Sequence, residues 1–258
     1  MPVVSGHYKF KTFSKIALMQ IERILHSQGF GARKLCRILV RHHEVTVNGE
    51  PCDDPFADFS TDNLRFTVKG EPWEYREKAH LMLNKPAGYE CSLKPAHHPG
   101  VHALLPMPLR ERGVQNIGRL DEDTTGLLLF SDDGQFIHRM GSPKWKVPKV
   151  YEVTLKHAAD EKLVAALLQG VQLNDEPAPI AALGCEAISE RLLHLTLGEG
   201  KYHQVKRMVA AAGNRVEALK RIAIGRLALP KDLPEGQWRW LSPADLEALL
   251  PTREAATK

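Results

Sequence analysis

The chain has 258 residues, of which 43% are hydrophobic and 26% charged, and a formal net charge of +4. This composition is typical of a globular protein of one or two domains, and no apolar run approaches the roughly 20 residues that a membrane-spanning helix needs. The start of the chain carries no secretory signal, so we expect a cytoplasmic protein whose four widely separated cysteines are reduced.

The charge is distributed unevenly along the chain. Residues 1–50 contain eight Lys and Arg but three acids, a net +5, whereas the remaining residues sum to −1. A basic first segment on a near-neutral body predicts a polyanion-binding module attached to another domain. No metal site is expected, because the adjacent pairs His42-His43 and His97-His98 cannot converge on one ion.

The first predicted elements are two short helices. A basic extension over residues 1–19 precedes helices over Ile21–Ser27 and Arg33–His42, which a glycine-rich break separates. The second helix has an apolar and a basic stripe on nearly opposite sides. The apolar stripe consists of Leu35, Ile38 and Leu39, and the basic stripe of Arg33, Arg37 and Arg41.

Strands and turns follow these helices. Val45–Val47 is a predicted strand, Asn48-Gly49 a hairpin turn, and Leu64 to Val68 a second strand of alternating pattern. Helix-turn-helix followed by V-T-V-N-G resembles the alpha-L RNA-binding module over residues 20–70. Guanidinium groups one helical turn apart can follow RNA phosphates, although a solvated charged face is the alternative. The RNA contacts predicted here are Arg33, Lys34, Arg37 and Arg41.

The rest of the chain is predicted to form a linker over residues 71–79, a larger domain over 80–250 and a flexible tail over 251–258. Its predicted strands are Leu81–Leu83, Leu127–Phe130, Lys149–Leu155, Ala178–Ile188, Leu192–Leu197, Arg215–Ile224 and Trp238–Leu241. Its predicted helices are Gln135–Met140, Asp160–Leu168, Tyr202–Ala212 and a last one from Ser242 to Leu250, with a turn at 84–89 and an irregular segment at 101–112. Many strands with scattered helices favour an α+β fold, with a mixed or antiparallel sheet flanked by helices.

The most informative segment is the polar loop N-I-G-R-L-D-E-D-T-T-G at residues 116–126, which leads into the apolar run Leu127–Phe130. Catalytic groups are often carried by loops on a rigid scaffold. The loop resembles the GRLD-x-D-T-x-G-L-L signature of pseudouridine synthases. In that family the aspartate of the signature is the catalytic carboxylate, which implies this role for Asp121.

Three further segments resemble motifs of the same family. They are N-K-P-A-G-Y at 84–89, K-V-Y-E-V at 149–153 and E-G-K-Y-H-Q-V-K-R-M at 199–208. Lys206, where many relatives carry arginine, and G-Y-E-C-S at 88–92 look most like the RsuA branch. This resemblance implies an enzyme that modifies a uridine of 16S ribosomal RNA, either free or within an assembling small subunit. We expect a monomer, although the residues leave the oligomeric state open.

The implied reaction breaks the glycosidic bond of uridine, turns the base and rejoins it through carbon 5. Asp121 would act as a nucleophile on the sugar or the base, or as a base toward a sugar proton. Lys206 is the predicted cation that keeps this carboxylate ionised. Tyr151 is the predicted stacking platform for the flipped base, and its hydroxyl is a candidate for removing the proton at carbon 5.

Further RNA contacts are predicted around this site, and they are Arg119, Lys149, His203, Gln204 and Arg207. Arg119 has a second interpretation as a structural partner of Asp123. The reaction is an isomerisation, so no cofactor is expected.

Three alternatives remain open at this stage. The first is the same chemistry on 23S ribosomal RNA, and the second is a non-catalytic RNA-binding factor of ribosome assembly. The third is a magnesium-dependent nuclease, because acids cluster near the signature loop. Its candidate ligands are Asp121, Asp123, Asp132 and Asp133.

Overall fold

The computed structural model describes residues 17–250, apart from the side chain of Pro143. The predicted extension over 1–19 and tail over 251–258 therefore lie largely or wholly outside the described residues. The chain divides into two compact units: one contains the residues up to Ala79 together with Pro106–Val114, and the other contains His80–Leu105 and the residues from Gln115 onward. No helix in this described part is long and apolar enough to cross a membrane.

The first unit combines short helices with antiparallel strands. Its elements are β1 (Leu18–Gln20), α1 (Ile21–Ser27), α2 (Arg33–Arg41), β2 (Val45–Val47), β3 (Glu50–Pro51), β4 (Asp58–Ser60), β5 (Arg65–Val68), β6 (Glu71–Glu74) and α3 (Met107–Glu111). Strands β3, β2, β5 and β6 pair in that order, and β1 pairs with β4. The predicted hairpin turn is confirmed, since Asn48 and Gly49 have φ angles of 50° and 93°, the positive values that a two-residue turn of this kind needs.

Helix α2 buries a different face from the predicted one. Its buried residues are Cys36, Leu39 and Val40. Leu35 and Ile38, which belong to the predicted apolar stripe, are 48% and 42% exposed. Hydrophobicity alone therefore gives the wrong rotation for this helix.

A buried carboxylate accounts for the orientation of α2. Glu22 of α1 is 0% exposed and forms ion pairs with both Arg33 and Arg37. Hydrogen bonds from Arg37 and Arg33 lower the pKa of Glu22 to about 2, so the carboxylate stays charged. These pairs draw the arginine side of α2 toward α1, while the two guanidinium side chains remain 38% to 46% exposed.

The segment predicted as a linker belongs to the first unit. Glu71–Glu74 is strand β6 and pairs with β5. The side chain of Gln28, a buried residue, accepts a hydrogen bond from the Arg76 N–H and donates one to the Arg76 carbonyl, both at 3.1 Å. The same amide oxygen accepts from Arg112 at 2.9 Å, which fastens the segment of α3 to this unit. The linker prediction over 71–79 is therefore wrong. Local composition did not reveal these contacts because the partners are distant in sequence.

The second unit is built on one mixed sheet. Its strands are β7 (His80–Lys85), β8 (Gln115–Ile117), β9 (Thr125–Ser131), β10 (Lys149–Leu155), β11 (Gly184–Ser189), β12 (Leu192–Leu197), β13 (Val216–Ile224), β14 (Leu227–Ala228) and β15 (Trp238–Trp240). The order across the sheet is β11-β12-β10-β13-β9-β7-β15, with β14 on β13 and β8 on β9. The contact of β13 with β9 is parallel, and the other pairings are antiparallel.

Helices flank this sheet and complete the second unit. They are α4 (Gly134–Gly141), α5 (Glu161–Gln169), α6 (Gln204–Ala211) and α7 (Pro243–Ala248). Strand β9 lies between β7 and β13, and its run Leu127–Phe130 is almost fully buried, as expected for a strand that is covered on both faces. The predicted α+β fold with a mixed sheet flanked by helices is confirmed.

Several element boundaries differ from the prediction for local reasons. Strand β11 begins at Gly184 rather than Ala178, because the preceding segment contains prolines that cannot donate to a ladder. Helix α6 begins at Gln204 because His203 has a φ of +48°. Residues 84 and 85, predicted as turn, belong to β7, and the segment 101–112 contains a 3₁₀ helix and α3.

Candidate active site

The loop that carries Asp121 is held by the sheet. Residues 118–124, here called the Asp121 loop, connect β8 with β9. At the end of this loop Gly126 lies opposite Arg221 of β13. A Cβ atom at Gly126 would lie 2.3 Å from the Arg221 carbonyl oxygen, and its φ is +101°, so the close approach requires glycine. Arg221 also lies opposite Tyr151 of β10, and one row of the sheet therefore fixes both the loop and the tyrosine.

A buried lysine anchors the Asp121 loop through hydrogen bonds to its backbone. The Lys85 side chain is fully buried, and its Nζ donates to the carbonyl oxygens of Pro86 (3.0 Å), Glu122 (2.9 Å) and Thr124 (2.8 Å). Burial lowers the pKa of Lys85 below its ordinary value. Sequence reasoning assigned no role to this residue, although a lysine at the end of an apolar strand within the N-K-P motif was the available signal.

Two basic side chains face the carboxylate of Asp121. His203 Nε2 lies 3.4 Å from one carboxylate oxygen and Lys206 Nζ lies 3.5 Å from the other, and the Asp121 side chain is 31% exposed. Lys206 makes shorter contacts with Asp123, at 2.6 and 2.8 Å. Burial, the largest single influence, opposes ionisation of Asp123, but the hydrogen bond and the charge of Lys206, with smaller contributions, together lower the pKa of this carboxyl. The ammonium group is therefore shared between two carboxylates rather than dedicated to Asp121.

The start of α6 aims His203 at this site. His203 is the N-cap residue in the left-handed conformation, and the exposed ring of Tyr202 stacks on it at 3.9 Å with 16° between the planes. Gln204 is buried, and its side chain accepts from Lys201 N at 2.9 Å and donates to Glu199 at 3.2 Å. Gln204 therefore orders the loop before the helix, whereas the sequence predicted an RNA contact.

A small pocket of about 70 Å³ opens beside the Asp121 carboxylate. Tyr151, which is 8% exposed, forms part of its wall. The other lining residues are Arg119, Leu120, Asp121, Thr124, Leu197, Glu199, Gly200, Lys201, His203, Gln204, Val205 and Leu219. The pocket thus brings an acid, an aromatic ring and apolar side chains together in one opening.

The remaining predicted RNA contacts occupy different positions. Arg119 is exposed and lines the pocket, and Asp123 binds Lys206 instead of Arg119. Arg207 forms an ion pair with Asp175 and donates to the Tyr202 carbonyl at 3.1 Å.

Lys149 is outside the pocket lining. Its Nζ donates to the Val147 carbonyl at 2.9 Å. Burial and the nearby charge of Arg221 lower the pKa of Lys149 to about 8. The structure therefore gives its ammonium group a partner within the protein.

The acids proposed as magnesium ligands in the nuclease alternative have different structural roles. Asp133 caps α4 by accepting hydrogen bonds from Gln135 N and Phe136 N, whereas Asp121 and Asp123 both face Lys206. Within residues 17–250, no group of three or more His, Cys, Asp or Glu side chains is placed to share a metal ion.

Comparison with known proteins assigns the family. Residues 79–211 match the family described as RNA pseudouridylate synthase. The chain is 38% identical over 212 residues to ribosomal small subunit pseudouridine synthase A of Haemophilus influenzae, covering 82% of this chain and 90% of the relative. It is 35% identical to the protein of the same name from Escherichia coli K12, covering 90% of this chain and 100% of the relative.

A solved structure supports the same assignment. A crystal structure of a pseudouridylate synthase is similar with a TM-score of 0.64 and 34% identity, covering 90% of this chain and all of the other. The chain therefore belongs to the RNA pseudouridine synthase family, in its RsuA-like branch. The enzyme class predicted from the motifs, an isomerase acting on RNA, is confirmed.

Proposed function

We propose that this enzyme converts a uridine of 16S ribosomal RNA to pseudouridine, with Asp121 as the catalytic carboxylate. The observation that carries the proposal is the position of Asp121 in the pocket lining, with Tyr151 in the wall and the basic side chains of His203 and Lys206 within 3.5 Å. The choice of small-subunit RNA rests on the names of the relatives, which are ribosomal small subunit pseudouridine synthases.

The reaction needs an ionised carboxylate beside the anomeric carbon of the flipped nucleotide. The Lys206 ammonium, which Asp123 holds in place, lies 3.5 Å from the Asp121 carboxylate, and His203 lies 3.4 Å from it. The carboxylate then acts as nucleophile on the sugar or base, or removes a sugar proton. In each route the glycosidic bond breaks, the uracil turns and carbon 5 bonds to the sugar. Carbon 5 loses its proton, and N1, which has lost its bond to the sugar, gains a proton.

The flipped uracil is proposed to stack on Tyr151. Leu197, Val205 and Leu219 line the same pocket and provide apolar contact for the base. Base–aromatic stacking contributes roughly 1–3 kcal/mol, and the phenol hydroxyl is proposed to assist removal of the proton from carbon 5. Arg119, at the rim, is proposed to bind a phosphate of the flipped nucleotide.

The first unit is proposed to be the alpha-L RNA-binding module. Lys34 and Arg41 are exposed, and Arg33 and Arg37 are oriented by Glu22 with their side chains still partly accessible. A basic helix face of this kind binds the RNA backbone with little sequence preference. We therefore assign selection of the uridine to the second unit.

Pseudouridine mapping tests the proposal. Ribosomal RNA from cells with and without this gene is compared, with complementation by the wild type and by Asp121→Asn. We expect one 16S position to lose pseudouridine without the gene and to regain it with the wild type alone. Loss at a 23S position would contradict the substrate assignment, and an unchanged map with a ribosome-assembly defect would favour the non-catalytic factor.

A further inference from the structure

Residues 90–100 form a loop that the side chain of Glu90 stabilises through hydrogen bonds to its backbone. Its carboxylate accepts hydrogen bonds from the backbone N–H groups of Ala96 (3.0 Å), His97 (2.8 Å) and His98 (2.9 Å). Two backbone hydrogen bonds of 2.9 Å close the base of the loop. The three N–H donors lower the pKa of Glu90 to about 2, so this closure persists at neutral pH. We call this segment the Glu90 loop.

The Glu90 loop is joined to the Asp121 loop. The Leu120 N–H donates to Cys91 Sγ at 3.4 Å, and Leu120 lines the pocket next to Asp121. Two residues of extended chain span at most about 7 Å, so the Cα of Leu93 lies within that distance of Cys91. Leu93 therefore lies on a segment that contacts the Asp121 loop.

The exposed side chains of this loop are apolar and basic. Leu93 is 68% exposed, and Lys94, His97 and His98 are also exposed. Glu90 is the one acid between residues 89 and 100 of the sequence, and its carboxylate is occupied by the N–H groups of the loop itself. The exposed groups therefore complement a polyanion that also offers apolar surface, as an RNA strand does.

We infer that the Glu90 loop binds the RNA strand beside the target uridine, with Leu93 filling the space that the flipped base leaves in the stack. Lys94, His97 and His98 then contact the adjacent phosphates. The inference rests on the proposed function, because the uracil must leave the stack to reach Asp121. Proteins use apolar side chains inserted at base steps to keep nucleic acid unstacked. A loop already ordered by Glu90 loses little conformational entropy when it binds.

The test compares two RNA hairpins that carry the mapped uridine either base-paired or in an unpaired bulge. The full-length enzyme is compared with Leu93→Ala, with Lys94→Ala and with the matched control Leu168→Ala, which removes a leucine that is 42% exposed on α5. Thermal unfolding establishes that each variant is folded. Product formation gives kcat and KM, and binding is measured separately as a function of salt concentration.

We expect Leu93→Ala to lower kcat about tenfold on the paired hairpin, since unstacking is costly, and to change kcat little on the bulged one. Lys94→Ala should raise KM and reduce the log–log salt slope of affinity by about 0.7–0.9. Leu168→Ala should match the wild type.

Three results would overturn the inference. They are equal kinetics for the two leucine variants, an equal loss of kcat on both hairpins, and a defect that appears on a ribonucleoprotein particle but not on naked RNA. A wild-type enzyme that modifies neither the hairpins nor the assembling small subunit would contradict the proposed function instead, and the salt dependence of Lys94→Ala would still test the loop.

Discussion

Lys206 Nζ lies 2.6 Å from a carboxylate oxygen of Asp123 but 3.5 Å from the nearest oxygen of Asp121. The stronger contact of the lysine is thus with the acid that we do not assign to catalysis. Asp123 fixes the position of the cation, and Asp121 keeps oxygen atoms available for the substrate. The two carboxylates of the signature loop consequently have separable roles.

The first prediction uses this separation. Asp121→Asn should lower kcat by about 10⁴-fold, because it removes a nucleophile or base without changing shape. Asp123→Asn is the matched control and should cost less than tenfold, since a partly exposed pair contributes about 1 kcal/mol or less. Single-turnover kinetics and RNA binding are measured for both. Comparable losses in the two variants would contradict the assignment of Asp121.

The second prediction concerns the ring and the hydroxyl of Tyr151. Tyr151→Phe keeps the stacking surface, so RNA binding should be unchanged while turnover slows. Tyr151→Ala should lose roughly 1–3 kcal/mol of stacking as well. The measurements are Kd and the single-turnover rate for each variant. Equal rates for Tyr and Phe would leave the residue with stacking alone.

The third prediction concerns Lys85 as a positioning residue. Lys85→Met leaves the Glu122 and Thr124 carbonyls without their donor, and the Asp121 loop should shift. A misplacement of about 1 Å costs on the order of 100-fold in rate. We expect kcat to fall with little change in KM, whereas Lys156→Met, at an exposed position, should behave as wild type. A change confined to KM would show that Lys85 does not position the catalytic group.

The fourth prediction follows from the pKa of Glu22. Its folded value is about 2 and its ordinary value is 4.5. The unfolded chain therefore binds more protons between these values, and the stabilisation present above pH 4.5 is lost as the pH falls toward 2. Glu22→Gln should lower stability at pH 7 and flatten the dependence between pH 4.5 and 2. Denaturant unfolding of the first unit, followed by fluorescence across this pH range, checks the predicted change in stability. Glu44→Gln, which alters an exposed acid, is the control.

The fifth prediction concerns phosphate contacts of α2. Deleting residues 1–70 would leave β6 and the segment of α3 without their partners, so point variants in the full chain are the sharper test. Lys34→Gln and Arg41→Gln should each reduce the log–log salt slope of RNA affinity by about 0.7–0.9. Arg33→Gln combined with Arg37→Gln should reduce it less than twice that amount, because Glu22 already neutralises one of their charges. Additive full effects at all four positions would contradict this role of Glu22.

Local patterns were sufficient for much of the fold. Helix α1 and strands β2, β10 and β12 have the predicted bounds, because local apolar spacing and flanking turn residues determine them. The orientation of α2 was not predictable, since it depends on a carboxylate in a different helix. The membership of residues 106–114 in the first unit likewise depends on Gln28, which is 84 residues from Arg112.

The site was predicted in its residue types but not in its contacts. The motifs identified Asp121, Tyr151 and Lys206, and these residues do converge in the second unit. Spacing could not show that Lys206 binds Asp123, or that Gln204 and Arg207 have partners within the protein. Lys85 and Glu90 were missed as anchors because their acceptors and donors are backbone groups, which carry no signal in the side-chain pattern.

The parallel contact of β9 with β13 has a consequence for synthesis of the chain. Arg221 donates to the Leu127 carbonyl from 94 positions further along the sequence, and Gly126 packs on the same residue. The ribosome synthesises a chain from its amino end at about 5–20 residues per second. Strand β13, which supports the Asp121 loop, is therefore absent for roughly 5–20 s after the loop itself has been made. We therefore expect the Asp121 loop to lack this support until β13 has been translated and released from the exit tunnel.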